Sequence, residues 1–142
     1  MALVVRTIKS TPRFVKPVLY SDVYTNFDVE FVKKDLLSLE NEESVKTSIK
    51  NILLTNRGER FFNPTFGSDI RSMLFENYTQ ATEQIIRDLI KTAIKNFEPR
   101  ADILDVKVFG NPDSNSMSVT IIFSIINKSE PVTLELTLNR VR

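Results

Sequence analysis

Residues 78–100 read YTQATEQIIRDLIKTAIKNFEPR. Ile85, Ile86, Leu89, Ile90, Ala93, Ile94 and Phe97 recur at intervals of three and four, which makes them one broad stripe along an α-helix. Thr79 or Thr82 can cap its start, and Glu83 with Arg87, four residues on, adds an exposed ion pair. Pro99 ends the helix, because it lacks a backbone donor, clashes with the preceding turn and pushes Glu98 towards extended geometry. An apolar stripe this wide needs a hydrophobic surface to lie on.

The following forty residues supply that surface, since their apolar period changes from 3.6 to two. Leu104, Val106 and Val108 share one face of the first run, and Val119, Ile121, Phe123 and Ile125 share one face of the second. Val132, Leu134, Leu136 and Leu138 do so in the third, where Thr133, Glu135 and Thr137 take the opposite face. The joints GNPDSNS and NKSEP are short and rich in turn formers, so the three strands are expected to form an antiparallel meander. The clean alternation of the third predicts a half-exposed edge strand able to accept a strand from another chain.

Working towards the N-terminus, Asn41 can cap a helix with Glu42 and Glu43 in its first turn and Val45, Ile49, Ile52 and Leu53 on its apolar face. Asn56-Arg57-Gly58 reads as its stop. Phe61, Phe62, Phe66 and Phe75 then crowd a segment rich in turn formers. The rings are expected to plug the domain's own core, the alternative being that some of them seat a partner. Ser68 or Asp69 can cap a short helix carrying Ile70, Met73 and Leu74. Residues 1–40, interrupted by Pro12 and Pro17, read as an extended N-terminal arm with a short strand or two. Its Phe14, Val18, Leu19, Tyr20, Tyr24, Phe27 and Phe31 favour contact with the fold or a neighbour over water. The fold class is therefore α+β: two main helices packed on a three-stranded antiparallel sheet over 41–142, preceded by the arm.

Composition narrows the chemistry. With 19 basic and 18 acidic residues the net charge is +1, so no global field gathers phosphates, and nucleic acid is not expected as a partner. Lys33-Lys34 and the end Arg140 to Arg142 are the local basic exceptions. The absence of cysteine and histidine removes thiol nucleophiles, serine–histidine chemistry and ordinary zinc sites. The three glycines make no phosphate loop, so no cofactor is expected. The first apolar run stops at Arg6, too early for a signal segment or a membrane span, which predicts a protein made and retained in a cytoplasm.

Glycoside hydrolysis needs no histidine, only two carboxylates across a cleft. Glu59, Asp69, Glu76 and Glu98 are the candidates, and nothing in their spacing selects a pair. Arg100, two residues from Glu98, would lower the Glu98 pKa if the two touch, the opposite of what a general acid needs.

The run ILLTNRGERFFNPTFGSDIRSMLFEN, followed by a helix and IKNFEPRADILDVKV, resembles the baseplate wedge family of contractile phage tails, historically labelled tail lysozyme, with relatives in type VI secretion baseplates. The likeness runs from about Ser44 to the C-terminus and rests on Arg57-Gly58 with Phe62, the NPTFG loop around Phe66, LFEN and Glu98-Pro99-Arg100. It implies a non-enzymatic structural subunit of the virion's inner baseplate that initiates the sheath. The implied partners are a helical bundle of other wedge subunits, engaged by the Glu98-Pro99-Arg100 turn, the tail sheath protein at the sheet edge around Leu134 and Leu136, and tail tube or hub proteins. A proline-fixed turn would present its charges with little conformational entropy left to lose on docking.

Overall fold

The computed structural model describes residues 17–24, 28–30, 35–111, 116–126, 128 and 130–139. Phe14, Phe27, Phe31, Lys33, Lys34 and Arg140 to Arg142 lie outside the described residues. The described part of the arm is doubled back on itself rather than extended. β1 (Ser21–Val23) pairs antiparallel with β4 (Ser38–Glu40), and β2 (Val29–Glu30) pairs with β3 (Asp35–Leu36). Leu39 is buried, whereas Val23, Val29 and Leu36 are exposed. A two-stranded ribbon has no second layer on which to bury both faces.

Asn41 joins this ribbon to α1 (Glu42–Leu54) with φ 50°, and it does not cap the helix as expected. Its side-chain oxygen accepts instead from Leu19 N at 2.8 Å, and its amide nitrogen donates to Pro17 O at 3.3 Å. The carboxamide thus fastens the arm to the helix start, and Glu42 and Glu43 remain to meet the positive end of the dipole. Val45, Ile49, Ile52 and Leu53 are buried as their spacing predicts.

After α1 the chain makes a loop and then the single turn α2 (Ile70–Met73). Neither proposed cap is used. The Ser68 hydroxyl donates to Leu53 O at 2.8 Å, and Asp69 pairs with Arg57 at 3.3 Å. Helix α3 (Gln80–Phe97) is capped by Thr79, whose Oγ1 accepts from Thr82 N at 3.2 Å, and Arg87 pairs with Glu83 as expected, although the pair is partly buried rather than exposed. Ile86, Ile90, Ala93 and Ile94 are buried, but Ile85 is exposed, because the contact stripe is narrower than the apolar one.

The sheet is β5 (Ala101–Asn111), β6 (Ser116–Ile125) and β7 (Pro131–Asn139), antiparallel in the order β5-β6-β7, so β7 is an edge. Val119, Ile121, Phe123 and Ile125 of β6 are all buried, as are Val106 and Val108 of β5. Leu104, expected on that same face, is exposed. A register shift between Ile103 and Asp105 inserts one extra residue, which turns Ile103 towards the core in its place. α3 packs against β5, and α1 makes its main sheet contact with β7. Among the described residues no helix is long and apolar enough to cross a membrane.

Two glycines hold the loop after α1 in different ways. Gly58 has φ 82° with open space around its Cα, whereas at Gly67 (φ 115°) an added Cβ would lie 2.4 Å from Thr55 O. Gly58→Ala is expected to cost only the left-handed strain, about 1 kcal/mol. Gly67→Ala adds a backbone collision and should cost roughly 3 kcal/mol or more. Urea unfolding of the two variants checks this order, and equal costs would show that the loop moves away from Thr55.

Candidate functional site

The turn after α3 is built around a buried acid. Pro99 ends the helix, Ala101 N donates back to Glu98 O at 3.2 Å, and Ile126 N donates to Arg100 O at 3.0 Å, tying the turn to the end of β6. Proline occupies the second position of this four-residue turn, where its fixed φ is preorganised. Glu98 is only 2% exposed. Its two oxygens accept from Arg100 Nε at 2.6 Å and Nη2 at 2.7 Å, a fork-to-fork pair between residues two apart. Arg100 Nη1 reaches the hydroxyl of buried Ser44 at 3.4 Å, and the guanidinium carbon lies 5.4 Å from the centre of the Tyr20 ring. Tyr20 in turn donates its hydroxyl to Ile126 O at 3.3 Å. One ion pair therefore joins α3, β5, the first turn of α1 and the arm.

Burial pushes the Glu98 pKa up, but hydrogen bonds from Arg100 and Ser48 together with the Arg100 charge outweigh it and hold the carboxyl below its ordinary value. The Glu98 hydrogen bonds raise the Arg100 pKa further above its usual range. A buried carboxyl held ionised is an ill-placed general acid, which removes the most conspicuous of the four hydrolase candidates. Of the others, Asp69 is engaged by Arg57, and Glu59 Oε2 accepts from Asn56 N at 2.8 Å. Among the described residues no group of three or more acidic side chains is placed to hold a metal.

Glu98 and Arg100 were both expected to face a partner. The structure turns Glu98 inward with both oxygens committed, so the outward parts of the turn are exposed Pro99 and the partly exposed guanidinium. The aromatic loop divides in the same way. Phe66, expected at the docking surface, is half-buried: it stacks on Phe97 at 5.1 Å between ring centres, with the Arg60 guanidinium 4.0 Å above it. Phe62, like Phe66 expected at the docking surface, and Phe61, expected with the loop's other rings to plug the core, are wholly exposed at 105% and 98% of an extended reference residue. The turn that carries them is held by Gly58 N to Pro64 O at 2.8 Å, Asn63 N to Arg60 O at 3.3 Å and Phe66 N to Asn63 O at 3.2 Å. Leu134 and Leu136 are half-buried against the core, midway along β7.

Sequence reasoning missed Ser44 and Ser48, and it named Tyr20 only as one of the arm residues that favour contact over water. The two serines stand four residues apart beside the apolar stripe of α1, a small polar notch that could have signalled a buried charge. Tyr20 comes from a segment whose course no local pattern fixes.

Since Glu98 has a lower pKa folded than unfolded, its pair stabilises the fold fully above about pH 4.3, and this is lost as pH falls through the folded value. Glu98→Gln should cost about 2 kcal/mol at pH 7 and flatten the acid limb of stability. Arg100→Met leaves a buried carboxylate unpaired and should cost more, about 3–5 kcal/mol. Denaturant titrations between pH 3 and pH 7 check both, and an unchanged acid limb in Glu98→Gln would deny the pair its role.

Comparison with known proteins points one way. The family described as baseplate wedge protein gp25 matches residues 39–130. The baseplate wedge protein gp25 of Enterobacteria phage T4 is 35% identical over 114 residues, covering 80% of this chain and 86% of its own. A crystal structure from Geobacter sulfurreducens, of a protein provisionally designated a tail lysozyme, aligns with TM-score 0.65 at 26% identity over 71% of this chain and 92% of its own. A chain of the anti-feeding prophage baseplate aligns with TM-score 0.60 at 19% identity over 83% of each, which shows a shared fold. The chain belongs to the gp25 family of baseplate wedge proteins, structural components of contractile tails.

Proposed function

We propose that this subunit docks on a helical bundle of neighbouring wedge subunits through Arg100, Pro99 and the Phe61-Phe62 turn, and offers β7 to the first ring of sheath. The observation that carries the docking half is the exposure of two adjacent phenylalanines on a turn fixed by its own hydrogen bonds. Leaving each ring in water forfeits roughly 2–3 kcal/mol of burial, which an interface can recover, and a rigid turn loses little entropy in doing so. Phe66 stacks on Phe97, the residue before Glu98, so the loop bears on the same helix end as the ion pair. Within the turn, Glu98 acts as the positioning residue: it fixes the guanidinium plane, and Nη1, which reaches Ser44 with one hydrogen, keeps its second for a partner's carboxylate or helix C-terminal carbonyls. The anti-feeding prophage baseplate was solved with six-fold symmetry, and six copies around a tube would make individually weak contacts cumulative.

The sheath half rests on β7, which among the described residues has a strand on one side only and keeps an unbroken register with β6 from Pro131 to Asn139. β5, at the other edge, is interrupted by its bulge and carries Asp102, Asp105 and Lys107 on exposed positions, features that discourage pairing. Against the alternative hydrolase reading stands Glu98, held ionised with both oxygens committed to Arg100.

Phe61→Ser with Phe62→Ser should leave the melting temperature unchanged, because both rings are already in water. It should weaken co-purification with the wedge subunits of the same tail by roughly thirtyfold or more. Wild-type binding by the double variant would place the docking surface elsewhere. Leu136→Pro, checked first for folding, should block sheath nucleation while wedges still assemble. Normal sheath growth on that variant would remove β7 from the mechanism.

A further inference from the structure

α3 lies on β5, and α1 meets the sheet at β7, its edge strand. Besides its buried face, α1 carries Glu43, Lys46, Lys50 and Leu54 on a second face, at spacings of three, four and four. This second face, Leu134 of β7 and Leu39 of β4 line one open groove. The groove thus opens between α1 and the edge strand β7, with apolar walls from Tyr24, Leu39, Leu54 and Leu134.

Its charge is uneven. Lys46 and Lys50 face the groove with Glu43, and among the described residues neither lysine is paired with a carboxylate. They stand one helical turn apart, roughly 6 Å along the axis. Successive side chains on one face of a strand are roughly 7 Å apart, so inward positions of an added strand match the lysine spacing. The chain's own first sixteen residues carry Arg6, Lys9, Arg13 and Lys16 and no acid, which makes them a poor electrostatic match to a groove with two cations and one anion.

We infer that the groove selects its occupant by charge: it takes an extended segment of a partner whose inward side chains alternate apolar residues with an acid that pairs with Lys46 or Lys50. The inference rests on the proposal that β7 accepts a strand and specifies the chemistry of that strand. Backbone bonds to β7 supply the affinity, the leucine walls fix which face turns inward, and the lysines set the register and reject basic segments.

The test uses the full chain with a nine-residue alternating valine–threonine strand fused after Arg142 through a flexible linker, which keeps its effective concentration high. The central inward position is glutamate in one version and lysine in the other, each made in both alternation frames. Amide exchange from Val132 to Asn139 is read against the unfused protein. The glutamate strand is expected to slow β7 exchange about fivefold more than the lysine strand, and Lys46→Glu with Lys50→Glu is expected to reverse that preference. Equal protection by both strands would overturn the charge selection while leaving strand acceptance standing. Protection by neither would overturn strand acceptance and the selection with it. A β7 already protected in the unfused chain, and deprotected on deleting residues 1–16, would make the occupant the protein's own N-terminal segment and overturn the assignment to a partner.

Discussion

A carboxylate that is 2% exposed must be neutralised or paired, and Glu98 is paired within its own turn. The partner stands only two residues away, so the pair needs little chain closure. Proline between them removes much of the remaining freedom. Three other elements are then arranged around the guanidinium: Ser44 from α1, the Tyr20 ring from the arm, and Ile126, which receives the Tyr20 hydroxyl and donates to the Arg100 carbonyl. The ion pair is thus a junction at which helix, sheet and arm meet. Its interior half is structural, and only its outer edge is available for recognition.

The same division into an inward, fixing half and an outward, presenting half recurs in the aromatic loop. Phe66 stacks on Phe97 under Arg60 and anchors the loop to α3, while Phe61 and Phe62 stand in water on a turn closed by Gly58 and Pro64. Exposed rings on a mobile loop would collapse onto the nearest apolar surface. Backbone hydrogen bonds and the close passage of Gly67 over Thr55 hold this loop away from that outcome. Rigid presentation of apolar groups and an edge strand that, among the described residues, is paired on one side only are both features suited to a surface completed by assembly. In the isolated chain they are a cost in stability and a hazard for aggregation.

Much of the architecture was legible along the chain. The stripe of α3, the three alternating strands, the edge position of β7 and the stop at Pro99 follow from periodicity and from proline's missing donor, and each is local. The misses are local patterns overridden by something distant. Asn41 has the form of a helix cap, yet its carboxamide goes to Leu19 and Pro17, across more than twenty residues. Leu104 keeps perfect alternation with Val106, yet a bulge reverses its face. Ile85 belongs to the stripe, but the neighbouring layer does not extend far enough to cover it.

The sequence by itself determined the α+β class, the order of elements and the presence of an acid and a base around a fixed proline, because spacing and dihedral restriction act over a few residues. The family resemblance was also legible there, since it rests on short motifs in a fixed order. Tertiary structure alone decided that Glu98 turns inward while Pro99 and part of Arg100 remain accessible, that Phe66 is an anchor while Phe61 and Phe62 are exposed, and that a charged groove lies beside β7. Each of these depends on which surface lies opposite a side chain, and burial, pairing and exposure are properties of packed layers rather than of the order of residues within one of them.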